Sequence, residues 1–222
     1  MIAILASAFD GPARRLLQDW SAHDARLLCP RDLSRAGWRR TLAPAGAARA
    51  VIAGAEIADA DVDAVVGRLA WVGPADLDHV AAGDREFVAA EMTAFLRDWL
   101  EGLDCPIVNR PGGASLCGPG WSRAHWTAAA AELGLPVAPY RRRSGGPRGT
   151  EPAPALTVTV AGDRCSGTPD PDLAHAAWRL ARHAEVPALR VRFDGSGRFE
   201  GADPWLDLDD ASVRAGLLER AT

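Results

Sequence analysis

The first 111 residues alternate between short apolar runs and amphipathic stretches, and this alternation limits the possible folds more than any other feature of the chain. "IAILASAF" reads as a buried strand, and "DGPARRLLQDW" turns through Gly11 and Pro12 into a helix. "ARLLCP" and "ARAVIAG" read as a second and third strand, and "RLAWVGP" as a fourth that stops at Gly73-Pro74. In "GDREFVAAEMTAFLRDWLEGL" the residues Phe87, Met92, Phe95, Leu96 and Trp99 recur near helical spacing, which predicts one long amphipathic helix. "CPIVNRP" is a fifth strand, closed by Pro111. Strands joined by helices give a mostly parallel sheet with both faces covered, so this part is expected to be an α/β lobe.

The second half has a different rhythm. "GASLCGPG" is a loop, and Trp121 to Leu133 reads as a helix ended by Gly134. "LPVAPY" is extended. Residues 141–155, "RRRSGGPRGTEPAPA", are so rich in Arg, Gly and Pro that they read as a flexible linker. "ALTVTVAGDRCSGTP" alternates like a strand running into a turn, and "DPDLAHAAWRLARHAEV" is a helix with an Asp-Pro start. "ALRVRFDGSGRFEGADP" reads as a hairpin with a two-residue turn around Asp194-Gly195-Ser196-Gly197, and a last helix runs from Asp210. These pieces predict a small α+β lobe, and no internal repeat is visible.

Composition excludes several activities. The 222 residues are 48% hydrophobic, enough for one domain or two small lobes. A net charge of −4 gives no basic field for nucleic acid. All 25 of the Lys+Arg total are arginine. The enrichment in Ala, Gly, Pro and Arg is what a GC-rich coding sequence produces. Whatever its origin, the absence of lysine rules out Schiff bases, Walker lysines and lysine clamps on ATP phosphates. Cys29, Cys105, Cys117 and Cys165 are widely spaced, as in a reduced cytoplasmic protein. "MIAILASAF" lacks a basic n-region and reads as a strand rather than a signal peptide, and no apolar run is long enough to span a bilayer.

The order of the pieces resembles the ATP-grasp ligases, most closely the branch that modifies ribosomal peptides. "LAWVGP" resembles that branch's W-x-R/x-P strand, and "FVAAEMTAFLRDWLEGL" resembles its acidic E-x-x-x-F-x-x-x-L-x-x-L helix. Asn109-Arg110-Pro111 matches N-R-P, and "RAHWTAAAAELGLPVAPY" is similar to the hinge helix K-x-x-Q-L-x-x-A-x-x-x-G-L-x-V-P-x-T. "VTVAGDRCSG" and "DPDLAHAAWRLARHAEVPALRVRF" resemble the late strand-turn and the helix-strand unit that leads to the metal-binding strand. The resemblance implies a Rossmann-like, pre-ATP-grasp lobe over 1–111, a hinge helix segment over 112–140, the linker over 141–155, and a C-terminal ATP-grasp lobe over 156–222.

The departures from the family bear on chemistry. Arg123 stands where the family's first ATP lysine would be. After Tyr140 the chain enters the Arg/Gly/Pro linker instead of the family's central lobe, so the resemblance implies a truncated, degenerate ligase. The family's E-x-N-P motif holds Mg²⁺ on a strand. Here "FEGADPWLDL" supplies Glu200, Asp203 and Pro204 at a different offset, and Gly201 takes the Glu position when Asp203 takes that of Asn. Phosphoryl transfer depends on positioning and charge neutralisation, so neither ATP-dependent ligation nor a bound cofactor is expected.

The remaining chemistry is sparse. His23, His79, His125, His175 and His183 lack ligand or triad spacing, and no HExxH, GxSxG or Walker motif occurs. Cys117 lies in a Gly-rich loop ahead of a helix carrying His125, the one nucleophile-base pairing on offer. Eight Trp beside one Tyr and five Phe is an unusual balance. Trp121 and Trp205 lie beside loops, where tryptophan either packs a lid or anchors a partner.

The expected function is that of a non-catalytic pseudoenzyme that binds a ribosomal precursor peptide and assists a separate modifying enzyme. The small peptide-binding proteins of the crocagin type are similar in this respect. Candidate peptide contacts are Arg110, Trp121, Arg123, Arg141, Arg142, Arg143, Arg190, Arg192 and Trp205, because guanidinium groups match carboxylates bidentately. Strand edges at "ALTVTVAG" and "ALRVRF" are expected to be covered by a homodimer partner or by an added peptide strand. Two alternatives stand. One is a small peptide-modifying enzyme using Cys117, His125 or the acids of "DPWLDLDD". The other is a structural subunit of a larger ligase.

Overall fold

β1 (Ile2–Leu5) has every residue buried, as an apolar run at the centre of a parallel sheet must. The following helix, α1 (Gly11–Asp19), starts at Asp10, whose carboxylate accepts the Ala13 N–H at 2.9 Å, with proline in the first turn. β2 (Ala25–Leu28) returns parallel to β1. In this computed structural model residues 1–40, 48–139, 155–168 and 170–222 are described.

β3 (Arg49–Ile52) does not join the parallel sheet. It turns through Ala53 (φ 51) and Gly54 (φ 77) into β4 (Ala55–Ala58), with Ile52 opposite Ala55. Two positive-φ residues between the strands make a type I′ hairpin, whose usual signature is Asn-Gly. With Ala-Gly in its place, the sequence reading has no β4.

The next parallel strand is β5 (Ala64–Gly67), beside β1 on the side away from β2. This corrects the fourth strand expected at "RLAWVGP". Leu69 and Val72 are buried there, but the ladder ends at Gly67. Beyond it Arg68 pairs with Asp10 at 2.9 Å, both side chains almost fully buried. α2 (Arg85–Glu101) then buries Ala89, Leu96, Trp99 and Leu100 in the core formed with β1 and β5. Phe87, expected on that face, is 70% exposed. β6 (Ile107–Val108) completes the sheet order β2-β1-β5-β6, all parallel.

The described residues gather into two compact units, Met1–Gly120 with Leu217–Thr222, and Trp121–Gly216. In the second, α3 (Arg123–Glu132) is capped by Ser122 and is followed by Gly134 in the left-handed region at φ +75. β7 (Leu156–Ala161) and β8 (Arg164–Ser166) form a hairpin, where the sequence suggested a strand and a turn. α4 (Pro171–His183) begins at Asp170, whose carboxylate accepts the N–H groups of Asp172 and Leu173. β9 (Ala188–Phe193) and β10 (Phe199–Asp203) form a second hairpin. Its Asp194 N–H bonds to Arg198 O, so residues 195–197 make a three-residue loop instead of a two-residue turn. α5 (Ala211–Ala221) ends the chain.

The second sheet is antiparallel in the order β10-β9-β7-β8. Val158, Val160, Leu189, Val191 and Phe193 cover one face, in a core shared with Trp126 and Ala130 of α3 and Ala177 and Leu180 of α4. β9 has a partner strand on each side, which overturns the unpaired edge expected at "ALRVRF". β7 pairs with β9 along its length but with β8 only from Thr159 to Ala161, so the edge expected at "ALTVTVAG" is overturned only for that half of the strand. The outer edge of β10 is partly closed as well: Phe199 N–H donates to Pro136 O, and Ala138 N–H to Phe199 O.

Candidate ligand-binding face of the antiparallel sheet

A strand alternates its side chains between faces, so the residues between the buried valines and leucines of β7 and β9 share the opposite face. Register aligns them across the sheet. Ser166, Thr159, Arg190 and Asp203 form one row over all four strands, and Thr157, Arg192 and Gly201 form the next. This face opens into a pocket of about 440 Å³ lined by Thr157, Thr159, Ser166, Gly167, Arg190, Arg192, Asp207 and Asp210. Gly167 closes one wall at φ +95, where a Cβ would meet the Thr157 carbonyl oxygen at 2.2 Å. Only glycine fits there.

The cationic wall is built by β9. Arg190 Nη2 donates to both Asp203 oxygens, at 3.1 and 3.2 Å, and Arg192 Nη1 donates to Oδ2 at 3.2 Å. One carboxylate is shared by two guanidinium groups, which leaves a unit of positive charge and spare N–H donors. Arg190 Nε is buried with no hydrogen-bond partner. Such a donor costs stability unless a ligand or water meets it. Acidic residues form the facing wall. Ser166, whose buried hydroxyl lacks a hydrogen bond of good geometry, lies beside Asp210. That hydroxyl, and the N–H groups of Ser212 and Val213, hold the Asp210 carboxyl below the usual carboxylate range. The pocket thus presents cations on one side, carboxylates on the other and threonine hydroxyls between, which suits a polar ligand carrying both charges.

The positions that the sequence resemblance aligns with a metal-binding strand do not fit Mg²⁺. Gly201 offers no ligand, and a Cβ built on it would lie 2.8 Å from Arg192 Nη2. Asp203, the carboxylate two residues further along the strand, is already bound by two guanidinium groups. A dication needs oxygen ligands in this place and meets fixed positive charge instead.

The structure distributes the sequence-derived candidates unevenly. Arg190 and Arg192 line the pocket, and Trp205, 44% exposed, follows Asp203 and donates its backbone N–H to that carboxylate at 3.1 Å. Arg123 holds the β10 bulge instead, with Nε 3.0 Å from Glu200 O. Trp121 packs on Trp126, ring centroids 4.7 Å apart. Arg110 belongs to the first unit and donates to Cys105 O at 3.3 Å. Arg141, Arg142 and Arg143 lie outside the described residues. Cys117 is buried, its thiol donating to Gly67 O at 3.1 Å. Sequence reasoning missed Thr157, Thr159, Ser166 and Gly167, although the alternation in "LTVTV" and "LRVRF" carries the signal for a polar face. Asp207 and Asp210 were visible only as part of an acidic run.

No protein-family model and no curated protein sequence matches the chain. Solved structures do. The macrocyclase MdnC bound with precursor peptide MdnA, from Microcystis aeruginosa MRC, superposes with a TM-score of 0.66 at 12% identity, over 99% of this chain and 97% of that one. The ATP-grasp ligase PsnB complexed with minimal precursor gives 0.68 at 12%, over 100% and 98%. A Chryseobacterium gregarium RiPP-associated ATP-grasp ligase, in complex with ADP and a leader and core peptide, gives 0.65 at 11%, over 99% and 94%. At such identities the likeness is one of architecture, and the chain has an ATP-grasp-like fold: a parallel α/β lobe, then an antiparallel sheet with one open polar face.

Proposed function

We propose that this protein binds a ribosomally made precursor peptide on the open face of its antiparallel sheet and presents it to a separate modifying enzyme, without ligating it. The observation that carries the reading is the Arg190–Asp203–Arg192 cluster, which puts carboxylate-recognising cations where a ligase of this fold would need a metal. The absence of lysine from the chain agrees with it. The peptide-bound neighbours, whose own names include a macrocyclase and ligases, support its peptide-binding part. In this reading the chain is a truncated, degenerate relative of those ligases, similar to the crocagin-type peptide binders. It acts as a homodimer in the cytoplasm.

Calorimetric titration tests the proposal, first with Mg-ATP and then with the precursor peptide of the same pathway. Saturable peptide binding with no heat from Mg-ATP is the expected result. Saturable ATP binding would sink the non-catalytic reading. Asp207 and Asp210 line the same pocket and give the enzymatic alternative a concrete form, so peptide samples are also followed by mass spectrometry. A mass change produced by this chain alone would make it the enzyme.

A further inference from the structure

α2 presents a second face that the core does not use. Glu86, Ala90, Thr93, Ala94 and Arg97 follow one another at helical spacing along a groove of about 530 Å³, with Trp71 as its wall. The wall is held in place: Val72 N–H donates to Thr93 Oγ1 at 3.0 Å, and that hydroxyl donates to Ala89 O at 2.8 Å. Trp71 is 64% exposed and Phe87 70%. At 100° per residue Phe87 stands about 60° from Ala90, on the rim of the same stripe.

Apolar rims with a floor of small residues invite a helix, and the charges indicate which one. Glu86 and Arg97 stand at opposite ends of the groove, about 16 Å apart along the helix and about 20° apart around it. Arg97 Nε is buried without a hydrogen-bond partner, and among the described residues neither Glu86 nor Arg97 is in an ion pair. A twofold axis crossing the stripe between Ala90 and Ala94 sets Ala90 of one copy against Ala94 of the other. The same operation brings Glu86 of each copy to Arg97 of the other, twice. The surface is complementary to itself, as an isologous interface must be.

We infer that the α2 face is the homodimer interface, with two antiparallel α2 helices packed closely across their alanines. Small residues at the crossing allow an interaxial distance near the lower end of the roughly 8–10 Å range for packed helices. The four aromatic rings supply roughly 400–600 Å² of exposed apolar area, a substantial part of the roughly 1,200 Å² that small specific interfaces bury. The inference deepens the homodimer of the proposed function, and its test is separate from peptide binding, which is read by calorimetry on residues of the other unit.

Sedimentation equilibrium of the full chain is the experiment. The wild type is expected as a dimer, and Ala94→Glu as a folded monomer, because Ala94 is exposed. Glu86→Arg alone and Arg97→Glu alone each put like charges together and weaken the dimer ~10-fold or more. Mixing these two single variants restores association, as a heterodimer, since each then supplies what the other lacks. A monomeric wild type overturns the inference and leaves the groove to a partner of different sequence. A wild-type dimer untouched by Ala94→Glu, or single variants that do not rescue each other, overturns it equally.

Discussion

Arg192 sets one guanidinium nitrogen 3.2 Å from the Asp203 carboxylate and the other 2.8 Å from where a Cβ on Gly201 would lie. The Arg192 guanidinium therefore occupies the space beside Gly201 that a side chain there would take. The strand pair holds a guanidinium whose partner carboxylate is shared with Arg190. In the function proposed above, the spare guanidinium donors of this cluster meet carboxylates of the peptide.

Arg192→Ala is accordingly expected to weaken peptide binding by roughly 10- to 100-fold, the effect of one or two charge-assisted hydrogen bonds. Its side chain is 29% exposed, so the fold should lose little. Calorimetry beside thermal unfolding separates the two effects. Unchanged affinity in a folded variant would remove Arg192 from the site.

The buried Arg68–Asp10 pair answers to a different rule. Arg68→Met takes from Asp10 its ion-pair partner in a nearly closed site and leaves it the α1 cap, with an expected cost of about 3 kcal/mol. Adding Asp10→Asn removes that charge while keeping a side chain able to cap α1, so the double variant should recover part of the loss. Urea denaturation measures both, and a double variant no better than Arg68→Met would contradict the account.

Ala53 occupies the left-handed region at φ 51 in the β3–β4 turn. An L-residue without a local hydrogen bond pays roughly 1–2 kcal/mol there, and asparagine tolerates the conformation better. Ala53→Asn should stabilise the protein by roughly 1 kcal/mol, raising Tm by about 2–4 °C for a chain of this size. A lowered Tm would mean that the turn differs from type I′.

Asp210 gives a pH dependence of known sign. Its carboxyl is held below its ordinary value by Ser166 and by backbone N–H groups at the start of α5, so the folded state binds its proton less tightly than the unfolded chain. The resulting stabilisation is present above the unfolded value, near 3.8, and is lost as pH falls through the lower folded value. Asp210→Asn keeps a capping side chain but should remove this part of the acid dependence. Unfolding curves from pH 7 to pH 2 should show the two proteins converging at the acid end.

The strand and helix order was legible because burial imposes a period on each element: four buried residues in "IAIL", and Leu96, Trp99 and Leu100 recurring along α2. The same signal failed at "RLAWVGP", since a buried loop holding Leu69 and Val72 is as apolar as a strand. It also failed at β4, whose Ala-Gly turn lacks the residues that mark a type I′ hairpin.

For the site, the residue types were readable and the partners were not. "LTVTV" and "LRVRF" each announce a two-faced strand, but nothing local says that Thr159 stands opposite Arg190 or that Arg192 meets Gly201. Arg123 was conspicuous as a charge where a lysine is expected. Its partner, the Glu200 carbonyl, lies 77 residues further along the chain, and that contact makes it a support for the β10 bulge. The sequence by itself determined which segments are strands and helices, the polar face of each strand and the want of lysine chemistry. These follow from side-chain type and from the short periods of the backbone. Tertiary structure decided which strands are neighbours, which arginines share Asp203 and which face of α2 is left exposed among the described residues, because register and packing depend on contacts between residues far apart in the chain.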